Sequence, residues 1–126
     1  MAGDNVDRLR SLTVLIVEDE WLVRMELTAA FEDEGWIVLE SASAEDALAG
    51  LHEKGQVDLL ITDIRLSGQR TGWDLAVEAR ASDPGVAVIY VSANPPAPDR
   101  SVPGSVFIDK PALHTDVVAA ARRLLG

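Results

Sequence analysis

Four apolar runs in this chain each empty into residues able to do chemistry. Val57 to Thr62 runs into Asp63, and Thr13 to Val17 into Glu18, Asp19 and Glu20. Val86 to Val91 ends on Ser92, and Val106 to Ile108 leads through Asp109 to Lys110. A carboxylate can act as a nucleophile toward phosphorus, while a hydroxyl and an ammonium can neutralise phosphoryl oxygens. If Glu18, Asp19 and Asp63 share one crevice, each pair some 4 Å apart repels by roughly 4 kcal/mol at an effective dielectric of about 20. A hard divalent cation offsets that repulsion. With only oxygen ligands on offer, Mg2+ (or Mn2+) suits the site better than Zn2+.

The shared crevice depends on the elements that carry these residues. Thr13–Val17, Trp36–Leu39, the run before Asp63, Val86–Val91 and Val106–Ile108 read as strands. Between them, Val23, Leu27, Ala30 and Phe31 recur at helical spacing over Trp21 to Glu34, with Gly35 as the stop. Ser43 with Asp46 resembles a capping box opening a helix that carries Ala44, Ala47, Leu48 and Leu51 and ends at Gly55. Trp73 to Ser82 is a third helix with Leu75, Ala76 and Ala79 inward, and a closing helix carries Leu113, Val117, Ala120, Ala121 and Leu124 on one stripe. From Asn94 to Pro103, four prolines remove amide donors, so that connection is expected to hold no regular helix or at most one turn. Strands alternating with helices imply a doubly wound, five-stranded parallel α/β sheet, with ligands at the carboxyl ends of the strands near the switch point.

Composition narrows the classes. The 126 residues fit one domain, expected as a flexible segment over 1–12 followed by a folded unit over 13–126. With no cysteine, thiol chemistry and thiolate metal sites are excluded. A net charge of −10, from 11 basic and 21 acidic residues, argues against direct nucleic-acid binding. Nothing reads as a membrane span or secretory signal, so a cytoplasmic protein is expected. Trp36 and Trp73 read as packing residues, Trp21 as a neighbour of the acidic run, and His52 and His114 as surface residues.

Each site residue alone has a plainer reading. Asp63 could simply open a turn, the acidic run could be a solvated helix start, Ser92 a turn hydroxyl, and Lys110 a surface residue. Their joint occurrence carries more weight. V-L-I-V-E-D-E, L-L-I-T-D-I-R-L, V-I-Y-V-S-A and F-I-D-K-P resemble the four signature stretches of the response-regulator receiver domain, over nearly the whole chain from Thr13 onward. The resemblance implies a flavodoxin-like fold of the receiver type. It also implies that Asp63 accepts a phosphoryl group from a sensor histidine kinase or a histidine phosphotransfer protein, and that a protein surface then switches toward a downstream target. By the same match Asp19 is a direct Mg2+ ligand, Glu18 acts through water, and the backbone carbonyl of Arg65 completes the protein ligands. Ser92 bonds the phosphoryl group and Lys110 pairs with it. Arg65 and Asn94, beside the path of a hydrolytic water, are expected to tune the lifetime of the phosphate.

The departures matter too. Ser67 and a longer polar loop stand where the family often has proline, and Phe107 fills the aromatic switch position without a hydroxyl. The family's usual fourth helix is expected to be short or absent at Asn94 to Pro103. No output domain is evident, which suits either a phosphate shuttle or a stand-alone regulator. The chain is expected to assist its own phosphorylation and dephosphorylation rather than to act as an enzyme. The rival readings are a non-phosphorylated docking module and a small phosphatase with an aspartate nucleophile; the latter lacks any insertion to form a substrate cap.

Overall fold

The protein is described by a computed structural model covering residues 11–126, with 53 and 54 described by backbone alone. The elements run β1 (Thr13–Val17), α1 (Trp21–Asp33), β2 (Ile37–Ser41), α2 (Ala44–Lys54), β3 (Leu59–Thr62), α3 (Gly72–Ser82), β4 (Ala87–Ser92), β5 (Val106–Asp109) and α4 (His114–Leu125). All strand pairs are parallel, in the order β2-β1-β3-β4-β5. This is the flavodoxin-like arrangement, with its switch point between β1 and β3. Residues 1–10 of the segment expected over 1–12 lie outside the described residues, but Leu12 is tied in, its carbonyl accepting from the Ile37 N–H at 2.8 Å.

The alternation of side chains along each strand builds two cores. Leu15, Val17, Leu60, Val88 and Tyr90 face α2 and α3, where Ala44, Ala47, Trp73, Leu75 and Ala76 meet them. Val14, Ile16, Leu59, Ile61, Ile89 and Val91 face α1 and α4, against Leu27, Phe31, Val117 and Ala121. A sheet covered on both faces needs continuous apolar strands, and the central three have them. At roughly 1.5–3 kcal/mol for each fully buried aliphatic or Phe side chain, these two layers fix where every strand ends.

Local signals set the boundaries. The Ser43 side chain accepts from the Asp46 N–H, and Gly55 closes α2 with φ +80°. Thr71 and Asp74 form a reciprocal capping box at the start of α3, one residue earlier than the sequence pattern indicates. Trp36 does not begin β2. Its N–H closes α1 by donating to the Phe31 carbonyl at 3.0 Å, and its ring packs edge-on against Phe31. Leu113 also leaves its expected stripe: it is the N-cap of α4 and 66% exposed. Residues 93–105 contain no helix, so the sheet is crossed from β4 to β5 by a proline-rich connection. Among the described residues, no helix is long and apolar enough to cross a membrane.

Candidate functional site

Asp63 stands one residue beyond β3, where its N–H still donates to the Val17 carbonyl of β1 at 3.1 Å and continues the ladder. The residue is only 8% exposed. Its carboxylate is held at both oxygens: Oδ1 accepts from the Ile64 N–H at 2.6 Å, and Oδ2 lies 2.8 Å from Lys110 Nζ. Gly72 makes this geometry possible. Its N–H donates to the Ile64 carbonyl at 2.8 Å, and a Cβ there would fall 2.0 Å from the Asp63 carbonyl oxygen.

Lys110 arrives from the end of β5, where its N–H donates to the Ser92 carbonyl at 2.9 Å and its peptide bond to Pro111 is cis. Its ammonium lies 2.8 Å from Glu18 Oε1 and 3.3 Å from Glu20 Oε1 as well as against Asp63. Burial pulls the Lys110 pKa down, but the hydrogen bonds it donates to Asp63 and Glu18 outweigh it and the net shift is upward. Glu18, 2% exposed, shifts upward as well, because burial outweighs the contact with Lys110. The proton stays firmly on the lysine, while Glu18 carries the desolvation cost.

The acid cluster differs in one member from the sequence expectation. Carboxylate oxygens of Glu18, Glu20 and Asp63 all lie within 4.8 Å of one another. Asp19 is outside that group; it is exposed, with Oδ2 3.4 Å from Ser67 Oγ. Glu20, itself exposed, reaches the cluster because, as the N-cap of α1, its side chain makes no capping bond. Arg24, one turn into α1, fixes the acidic loop by donating from Nη1 to the Glu18 carbonyl at 2.6 Å, and its Nε pairs with Glu40 at 3.2 Å. Its signal in the sequence was a lone arginine following three acids.

The donor set fits a hard divalent cation. Three carboxylates against one ammonium leave two negative charges in a crevice that offers oxygen ligands. Glu18, Glu20, Asp63 and, one side chain away, Asp19 are the residues able to hold it.

Ser92 is fully buried at the end of β4, and its Oγ accepts from the Asn94 N–H at 3.1 Å. That bond uses a lone pair and leaves the hydroxyl hydrogen available to donate. Asn94 is half-buried beside it, and Arg65, two residues past Asp63, is exposed. Phe107 is half-buried on β5 and packs with Trp73 and Tyr90 at ring-centroid distances of 6.2 and 6.4 Å. It thus lies under the proline-rich connection rather than in the acid crevice.

Comparison with known families agrees with this architecture. The model for the response regulator receiver domain matches residues 14–121. The chain belongs to the response regulator receiver family. A relative, the transcriptional regulatory protein CssR of Bacillus subtilis (strain 168), is 33% identical over 119 residues, covering 91% of this chain and 52% of CssR. Among solved structures, a response regulator receiver protein from Sinorhizobium medicae WSM419 is similar at a TM-score of 0.85 and 28% identity, covering 93% of this chain and 96% of the other. CheY in the CheX-CheY-BeF3-Mg2+ complex from Borrelia burgdorferi superimposes with a TM-score of 0.83 at 25% identity, covering 97% and 95%. The receiver spans about half the length of the curated relatives it matches, 52% of one and 50% of another.

Proposed function

We propose that this receiver is a phosphoacceptor in a two-component or phosphorelay system, with Asp63 as the acceptor and a sensor histidine kinase or histidine phosphotransfer protein as donor. The observation that carries the reading is Lys110 Nζ held at 2.8 Å from both Asp63 Oδ2 and Glu18 Oε1, at the sheet edge where Ser92 ends β4. In the transfer, an Asp63 oxygen forms a bond to phosphorus as the phosphorus–nitrogen bond of the donor phosphohistidine breaks, and the electron pair stays on the imidazole. Lys110 follows the charge from the carboxylate to the phosphoryl oxygens, and Ser92 donates its hydroxyl hydrogen to one of them. Asp63 with Glu18, Asp19 or Glu20 and the Arg65 carbonyl would hold a Mg2+ or Mn2+ ion, which would neutralise charge on the phosphoryl group. Support for that ion comes from the oxygen-only donor set and from the BeF3 and Mg2+ named in the complex of the similar CheY.

Beyond the transfer, the chain would assist its own phosphorylation and dephosphorylation rather than turn over a substrate, with Arg65 and Asn94 tuning the lifetime. Donation from Ser92 to the phosphoryl group would bias the Asn94 to Pro103 connection and Phe107 between two states, presenting a surface to a downstream protein. The direct test is phosphotransfer profiling, in which purified, autophosphorylated sensor kinases are mixed with the receiver and Mg2+. Rapid labelling by one kinase, lost in Asp63→Ala, is expected. Absence of labelling by every kinase of the host would contradict the phosphoacceptor role.

A further inference from the structure

A carboxylate outside the acid crevice is built into the loop that follows the acceptor. Glu45 lies in the first turn of α2, and its Oε2 accepts from the N–H groups of Gln69 and Arg70, both at 3.3 Å. Its Oε1 is buried without a hydrogen-bond partner. The loop is shaped to that oxygen: Gly68 has φ +95°, a conformation that side chains resist, and a Cβ there would lie 2.6 Å from Glu45 Oε1. Arg70 closes the contact from outside, 4.0 Å from Glu45 and 2.9 Å from Glu78.

The same loop reaches the acids. Ser67 forms a parallel backbone bridge with Ser43, the N-cap of α2, and its Oγ lies 3.4 Å from Asp19 Oδ2. A continuous set of contacts therefore runs from Glu45 through residues 67–70 to Asp19, and Arg65 lies in the span between that anchor and Asp63. We infer that Glu45 is a positioning residue for the acid crevice: by fixing the loop after β3 it sets where Asp19 and Arg65 stand relative to Asp63, and so how tightly the crevice holds Mg2+. This rests on the reading of the crevice as a Mg2+-dependent acceptor site. Glu45 itself touches neither the acceptor nor any ligand.

The test compares wild type, Glu45→Ala and Glu45→Gln. A glutamine keeps one oxygen able to accept from both N–H groups; alanine keeps none. Amide exchange at Gln69 and Arg70 and the melting temperature are measured in EDTA, and the Mg2+ dissociation constant by calorimetry. Glu45→Ala is expected to speed exchange at both amides and to weaken Mg2+ binding by about tenfold, in the range of outer-sphere support, while Glu45→Gln stays near wild type. Gly68→Ala, which drives a methyl toward Oε1 from the loop side, should weaken Mg2+ in the same direction. If Glu45→Ala speeds exchange yet binds Mg2+ as wild type does, Glu45 only props the loop and the inference is overturned. If wild type binds no Mg2+, the acceptor reading fails and takes this inference with it.

Discussion

The Val102 N–H donates to the Tyr90 hydroxyl at 3.2 Å, tying the helix-less connection between β4 and β5 to the strand that carries Ser92. Val102 is buried, and Arg80 reinforces the tie by donating to the Pro103 carbonyl at 2.8 Å. The arrangement gives a proline-rich segment a fixed seat without helical hydrogen bonds. It also lodges the segment on the Trp73, Tyr90 and Phe107 rings, with the Arg100 guanidinium 5.9 Å from the Trp73 ring centroid.

Tyr90→Phe should therefore leave a buried N–H unpaired and cost about 1–3 kcal/mol, read by urea denaturation. Amide exchange should accelerate at Val102 while the core of β1 stays protected. Unchanged stability and exchange would mean that the hydroxyl does not anchor the connection.

Gly72→Ala should be more damaging than its position at a helix start suggests. A methyl 2.0 Å from the Asp63 carbonyl oxygen meets backbone, which cannot swing away as a side chain could. A loss of about 3 kcal/mol is expected, with weaker Mg2+ binding alongside it. A wild-type melting temperature would contradict the close packing.

Lys110→Ala removes the ammonium shared by Glu18, Glu20 and Asp63. Two of these carboxylates are buried, so a loss of about 3 kcal/mol at neutral pH is expected in EDTA. Added Mg2+ should restore more stability to the variant than it adds to wild type, measured as the shift in melting temperature.

Glu18 makes a pH prediction with a definite sign. Its pKa is raised above the ordinary carboxylate value of 4.5 in the folded state, chiefly by burial. Its contribution to stability is thus fully present below 4.5 and is lost as pH rises through the folded-state pKa. In EDTA, Glu18→Gln should gain on wild type as pH rises from 4 toward 7, as followed by denaturation at each pH. A gap that narrows over that window would show that the contact with Lys110, not burial, governs Glu18.

Trp21 gives an optical reading of the crevice, since it is 65% exposed and adjoins Glu20. Millimolar Mg2+ should change its fluorescence and raise the melting temperature together. Glu20→Gln should weaken both responses if Glu20 belongs to the ligand set.

What could be read from the chain beforehand divides along physical lines. Apolar runs ending on Glu18, Asp63, Ser92 and Lys110 were legible because the parallel sheet aligns strand ends, and register follows from burial on both faces. The proline-rich stretch was legible because missing amide donors forbid a helix whatever surrounds them. That Glu20 also comes within reach of Glu18 and Asp63 was not, because which of three consecutive acids approaches the strand ends depends on the capping geometry at the start of α1. Glu45 meets Gly68 across more than twenty residues, and no local pattern announces such a contact. The outward position of Leu113 was hidden too, since an apolar residue at helical spacing looks the same whether it lies in the first turn or just before it.

The acceptor itself can be identified chemically. After incubation with Mg2+ and acetyl phosphate, an acyl phosphate is reduced by borohydride to the alcohol of a homoserine residue, which peptide mass mapping locates. Phosphorylation at Asp63 requires homoserine at position 63, and no reduction in protein incubated without the phosphodonor. Homoserine at Asp19 or 5-hydroxynorvaline at Glu18 or Glu20 instead, or an unreduced Asp63 under conditions where the protein carries phosphate, would contradict it.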